Sequence, residues 1–464
     1  MKARRLPTHA PAPSLSCPCP SPLDSHWVAK FKDSFLKSHP GLFLLLLTAG
    51  IIGSGPGAKA QAPTSATTLN DLYQQSSVSL AIPRNDQPNQ LEATQVIETD
   101  EGIALNSLLN LRPWTLTLGV GPGWSYNSNI FAEPTAVADQ IFMTQGALKF
   151  NYGAPDTKLQ SALNYVGSYN EYLEHSQYSG LSNNLSMTAN WRPTDRTSFS
   201  SSLSFVNGAG SSLGSGVQNQ TATLSGNLGA LYVIGEKASA GCLLVYQNTT
   251  QEIGGAYQNE NASAYIDYRF APKLRLGLSV GGGTQNLGGT SENDADVGVR
   301  FDFVPTSKLS FNGQIGWENR SISTGGSSGY PKLRFDCQYQ PFDGTLLTLS
   351  AYNSVYADFW TNTLAVAQQT GFTLSLTQRL IQRITLTLNA GYETGTVSWN
   401  SSGAQSAKED NAIFGASVGW DLYVRPYQVD FSVFSHYLSS QTTEQAAKSS
   451  YDQVISGVEI TMTF

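Results

Sequence analysis

The chain of 464 residues is poor in charge: Asp, Glu, Lys and Arg make up 13% of it, against about 25% in ordinary soluble domains. Basic residues are the scarcer sign, 27 Lys and Arg against 34 Asp and Glu. Residues 1–60 hold 7 of the basic and 2 of the acidic residues, so the remainder carries 20 against 32, formally -12. Such a chain offers no basic stripe to displace the counterions of a nucleic acid, which excludes that partner. Cysteine is as sparse: Cys17 and Cys19 near the start, Cys242 and Cys337 far downstream. The downstream two fall on strands five apart, where they neither pair nor build a metal site. Beyond residue 60 the histidines are His175 and His436, too few for a histidine metal cluster. No apolar run beyond that point is long enough to cross a bilayer as a helix.

The N-terminal region has its own signature. Lys30, Lys32 and Lys37 precede the run GLFLLLLTAGIIG, and Ala58 and Ala60 are the small residues expected before cleavage at Gln61. That pattern predicts a cleavable secretory signal peptide within a leader of residues 1–60. The leader is long, and initiation near Val28 fits it better. Residues 61–111 have weak periodicity and scattered proline, which predicts a flexible periplasmic arm or a plug.

From residue 112 to 464 one pattern recurs. In LSMTANW, Leu185, Met187, Ala189 and Trp191 alternate with Ser186, Thr188 and Asn190. The same period of two runs through LRLGLSVG, DADVGVRFDF, RITLTLNAGYE and the closing VISGVEITMTF. This is the period of strands with one apolar face. Short turn signals stand at APDTK (154–158), RPTDR (192–196), IGEK (234–237), APK (271–273), VPTSK (304–308), PFDG (341–344), LIQR (380–383) and VRPY (424–427). Between them lie polar stretches such as 206–218, 248–258, 320–330, 399–411 and 438–450, read as longer loops. Eight turns and nine loops predict 18 strands.

Two architectures bury so many one-sided strands: a soluble sandwich, or a closed antiparallel transmembrane β-barrel. The export signal and the turn–loop alternation favour the barrel. So do aromatics near strand ends: Trp114, Phe150, Tyr152, Trp191, Phe270, Phe303, Tyr339 and Phe464 on the turn side, and Trp360, Trp399 and Tyr437 on the loop side. Closure pairs the last strand with the first and leaves no edge unbonded in lipid. A ring of 18 strands tilted about 40° is roughly 36 Å wide, too wide for side chains alone to fill.

The stretch GVGPGWSYNSNIFAEPTAVADQIFMTQGALKFNY, with LQSALNYVGSYNEYLEHSQYSGLSNNLSMTANWRPTDRTSFSSSLSF after it, resembles an outer-membrane β-barrel porin family of Gram-negative bacteria, the β-barrel porin 2-like proteins. Members often carry an Asp-Asn pair where this chain has Asn127, Ser128 and Asn129. The resemblance implies an outer-membrane location, with lipids and the barrel assembly machinery as partners; the residues themselves carry no metal-ligand cluster or phosphate loop, and no cofactor is expected. Its functional implications are passive passage of small hydrophilic solutes or, alternatively, a structural or accessory role in exopolysaccharide export or anchoring. Val458, Ile460, Met462 and Phe464 resemble the strand signal read by that machinery.

Strand parity points a set of charges inward: Lys149, Arg192, Asp267, Arg269, Arg275, Asp294, Asp296, Arg300, Asp302, Glu318, Lys332, Arg334, Asp336, Glu393, Asp421, Asp430 and Glu459. Arg275, Asp294, Asp296, Arg300, Asp302, Lys332, Arg334 and Asp336 are the selectivity candidates, with acids and bases expected to face each other across the lumen. Tyr126, Tyr165, Tyr169, Tyr172, Tyr246, Tyr257 and Tyr356 offer a sugar-stacking path, or simply interface rings. His175 and His436 read as solvated, GVGPGW and GGGTQNLGG lack the helix of a phosphate loop, and no enzyme activity is expected.

Overall fold

The computed structural model describes residues 114–464, apart from 154–156, 212–217, 252–254, 288–289, 324–326, 359–364, 399–405, 425–426 and 445–446. The expected leader, signal peptide and arm lie outside the described residues.

Alternating side chains form 18 strands. The first six are β1 (Trp114–Asn127), β2 (Asp139–Tyr152), β3 (Leu159–Tyr172), β4 (Gly180–Thr194), β5 (Thr197–Ser211) and β6 (Gln218–Val233). There follow β7 (Ala238–Gln251), β8 (Gly255–Ala271), β9 (Leu274–Leu287), β10 (Thr290–Thr306), β11 (Leu309–Ile322) and β12 (Ser327–Tyr339). The last are β13 (Thr345–Asp358), β14 (Ala365–Ile381), β15 (Ile384–Ser398), β16 (Ser406–Val424), β17 (Tyr427–Glu444) and β18 (Ala447–Thr463). Each strand pairs antiparallel with its neighbours in sequence, and β1 pairs with β18, so the sheet closes on itself. At the seam Leu118 and Phe464 exchange both backbone hydrogen bonds, each 2.9 Å. The seam keeps one register throughout, but pairing is interrupted at Gly121 and Pro122, where proline has no N–H to give.

The wall is apolar outside and polar inside, the reverse of a soluble barrel. On β10, Val297 and Val299 are more than half exposed on the outer face, while Glu292 and Asp294 on the inner face are buried. Rings gather near the turn side of the outer face: Trp114 packs edge-on against Phe150 at 4.9 Å and Tyr152 at 5.6 Å, and Trp191 stacks on Phe199 at 5.3 Å. Near the loop side, rings on the outer face donate to polar groups one step further from the belt. Tyr165 donates to Asn183 (2.8 Å), Tyr392 to Asp410 (3.0 Å), Tyr437 to Asp452 (2.9 Å) and Trp124 to Gln140 (3.3 Å). An apolar body with a polar tip suits a lipid–water boundary. Trp360 and Trp399 lie outside the described residues.

All eight turn signals separate consecutive strands, but most of the expected long loops are strand. Within 248–258, β7 continues to Gln251 and β8 resumes at Gly255; within 438–450, β17 continues to Glu444 and β18 resumes at Ala447. The strands run from 13 to 19 residues, beyond the ~9–11 that span a bilayer. Their polar loop-side ends read as loop by composition, yet backbone pairing does not need an apolar face. One pair departs from this regularity: β12 pairs with β13 only over Leu333–Tyr339, and its loop-side half parts from its neighbour.

Candidate solute pathway

Because the side-chain period is two, strand register decides which groups line the lumen. Two sectors of the inner wall are built from different chemistry. From β3 to β7 it is a mesh of hydroxyls and amides. Asn164 donates to Ser186 (3.5 Å), Asn227 to Ser202 (3.1 Å) and Gln247 to Thr249 (3.3 Å), while Thr223 and Thr249 share a hydrogen bond of 3.0 Å. Among the described residues of this sector the inward charge is Arg192, at the turn end of β4.

From β8 to β12 the inner wall carries Asp267, Glu292, Asp294, Asp296, Asp302, Glu318 and Asp336 with Arg269, Arg275, Arg300, Arg320, Lys332 and Arg334. Seven acids against six bases leave one net negative charge. The pairs form within a strand or across one or two strand steps. Arg320, on β11, is buried and reaches Glu292 on β10 at 3.2 Å and Glu318 on its own strand at 2.5 Å. Its remaining arm donates to the carbonyl of Val355 on β13 at 2.5 Å, beside the place where β12 parts from β13. Lys332 bridges Glu318 (3.2 Å) and Asp296 (3.7 Å), and Arg334 lies 3.2 Å from Asp336. Arg300 lies 3.9 Å from Asp267 and 4.1 Å above the ring of Tyr265. Arg275 sits in register between Arg269 and Asp302.

Glycine makes room for this crowding on β9. A Cβ on Gly277 would fall 1.9 Å from the Asp267 carboxylate, and one on Gly281 2.5 Å from that of Asp296. Bare backbone there lets the neighbouring carboxylates lean over β9.

The eight selectivity candidates all lie on this sector's inner wall, on β9, β10 and β12. They do not confront one another across the lumen, as the sequence reading expected. In a ring of 18 strands β10 stands opposite β1, nine steps away, and the inner face of β1 is Thr115, Thr117, Gly119, Gly121, Gly123, Ser125 and Asn127. Parity along one strand does not say which strands share a sector. Glu292 and Arg320 belong to the centre of the network but were absent from the expected set. Arg320 opens a stretch read as loop, and Glu292 lies just before the alternating segment of β10; continuing that alternation two residues back would have found it.

The loop-side end of β1 is tied down by the Asn127–Asn129 stretch. Asn127 accepts from the Asn129 N–H at 2.9 Å and from Gln453 at 3.0 Å, and Asn129 donates to the Glu133 carbonyl at 2.7 Å. Ile130 then packs with Ile141 and Tyr172 beside Phe131, Val137 and Tyr178. His175 is not simply solvated: its Nδ1 lies 2.9 Å from the buried Asp139 carboxylate, which also accepts the backbone N–H groups of Glu174 and His175 at 3.0 Å. The second loop is thereby anchored to the start of β2. His436 is buried and stacked on Phe434 at 5.5 Å.

Of the tyrosines, Tyr126, Tyr165, Tyr169 and Tyr246 lie on outward faces, while Tyr172 and Tyr257 point inward and are buried. The four outward rings cannot line an internal path, so the proposed tyrosine track is not formed as a unit. Cys242 and Cys337 are separate free thiols.

No protein-family model matches the chain, and no curated protein does. Solved structures similar to it include the outer-membrane protein OpdK from Pseudomonas aeruginosa, at 9% identity and TM-score 0.39, over 75% of this chain and 99% of that one. OpdL from Pseudomonas aeruginosa matches at 9% identity and TM-score 0.41, over 76% and 99%. The ferric citrate transporter FecA in its unliganded form matches at 8% and 0.41, over 75% and 78%. At such identity and score these similarities say nothing of solute or mechanism.

Proposed function

We propose that this chain is an outer-membrane, porin-like barrel that lets small hydrophilic solutes pass without catalysis. The observation that carries the reading is the inversion of polarity, an apolar outer belt around a lumen wall of hydroxyls, amides and charges. Such a wall is stable only with lipid outside and a polar filling inside. The charges of β8 to β12, with Arg275, Asp294, Asp296, Arg300, Asp302, Lys332, Arg334 and Asp336 among them, would then tune which solutes pass. Single-channel recording tests it: steady, large openings of the purified barrel support passage, and a silent bilayer with folded protein overturns it.

A second reading draws on the hydroxyl and amide wall of β3 to β7, whose groups match those of sugars: an accessory barrel for exopolysaccharide export or anchoring. It predicts a silent barrel that binds surface polysaccharide. Insertion under either reading would use the outward Val458, Ile460 and Met462 with Phe464 at the seam. Deleting Phe464 should cut the yield of assembled barrel far more than it alters transport by the barrels that form; insertion at full yield would refute that role.

A further inference from the structure

We infer that the loop-side wall of β8 to β10 is a binding station for a cationic group, an ammonium or guanidinium, on a solute entering the barrel. This deepens the passage reading by naming a solute class. Two independent observations carry it.

The first is local charge. Among the described residues Glu292, Asp294, Asp296 and Glu318 are balanced only by Arg320 and Lys332, so the loop-side cluster is formally two charges negative although the sector as a whole is nearly neutral. The second is unmatched acceptors. Asn259, Gln285 and Glu292 stand in one cross-strand row on β8, β9 and β10, with Asn261, Gly283 and Asp294 in the next. The Oδ1 of Asn259, the Oε2 of Glu292 and the Oδ1 of Asp294 are buried with no hydrogen-bond donor among the described residues, and their residues are at least nine-tenths buried, with relative exposures of 8%, 0% and 8%.

Their other contacts are already fixed. Glu292 holds Arg320 through Oε1, and Asp294 accepts from Asn261 through Oδ2 at 3.3 Å. A buried carboxylate oxygen without a donor is costly, and two of them on β10, with an amide oxygen two strands away on β8, ask for a ligand made of donors. An ammonium or guanidinium supplies three or five N–H groups and a positive charge; an anion supplies neither. Gly283 stands in the same row as Asn261 and Asp294; a Cβ there would meet the Glu260 carbonyl at 2.5 Å, the Asn261 amide at 2.8 Å and the Asp294 carboxylate at 3.1 Å, so its bare backbone is what lets Asn261 and Asp294 converge.

The probe is agmatine, a small dication with a guanidinium and an ammonium end. It is titrated calorimetrically into the full-length barrel in detergent and, separately, added to bilayers as a blocker of potassium current. Saturable binding is expected, weakened by about tenfold in Glu292→Gln/Asp294→Asn, the scale of one charge-assisted hydrogen bond. Asp430→Asn, on β17 outside this sector, should leave it unchanged. If the double variant fails to fold, Asn259→Asp replaces it and should tighten binding severalfold. Absent binding, equal binding of acetate, or indifference to the substitution made overturns the site. Binding by a barrel that carries no current upholds the site and overturns passage; current without binding does the opposite.

Discussion

The sectors β3 to β7 and β8 to β12 have the same strand geometry and the same alternation, yet they hold themselves together differently. In the first, hydroxyls and amides bond to neighbours of their own kind, as Thr223 does to Thr249, and each link is small and replaceable. In the second, a chain of ion pairs runs from Glu292 through Arg320 and Glu318 to Lys332 and Asp296, so that each group depends on the next. A neutral mesh tolerates loss of one member. A buried ionic chain does not, because the abandoned charge keeps its desolvation cost when its partner is gone. The difference matters most beside the incomplete β12–β13 pairing, where side-chain charge takes over from missing backbone bonds.

The strongest test of this contrast is Arg320→Ala. It strands Glu292, leaves Glu318 to Lys332 alone and frees the Val355 carbonyl, and should cost about 3–5 kcal/mol, read as a lower temperature for loss of the folded band in heat-modifiability gels. A loss no larger than that of a neutral-wall variant would erase the distinction. Next in size, neutralising Arg300, Lys332 and Arg334 together to Gln moves the charged wall three units toward negative. Cation preference should rise by about threefold in reversal-potential measurements, and an unmoved potential would show that this wall does not steer ions. The smallest effect belongs to Thr223→Val, which removes one neutral hydrogen bond from the mesh. It should cost about 1 kcal/mol and leave ion preference alone; a selectivity change there would mean that the neutral wall also discriminates.

The barrel itself was legible because a period of two repeated between turn residues such as APK and VPTSK leaves few alternatives once one face is apolar. The loop-side strand ends were not, since segments such as 438–450 are polar on both faces and carry no amphipathic signal; only their hydrogen-bonded partners make them strands. Orientation of single charges was likewise readable from parity, and their grouping was not. That Lys332 lies beside Glu318 follows from the register of β11 against β12, a fact between strands that no single stretch contains. The outward tyrosines are a different case, because the alternation around Tyr165 and Tyr169 already placed them on the lipid side.

The inward placement of thirteen charges on five adjacent strands also bears on how the chain reaches its fold. A slip of one residue in any of these strands would turn its whole charged face toward lipid, at about 2–4 kcal/mol for each Arg or Lys held near the midplane. A slip in β5, with its serines inside and few charges to misplace, would meet a gentler penalty. The charged sector can therefore act as the barrel's proofreader during insertion, rejecting misaligned strands before the ring shuts.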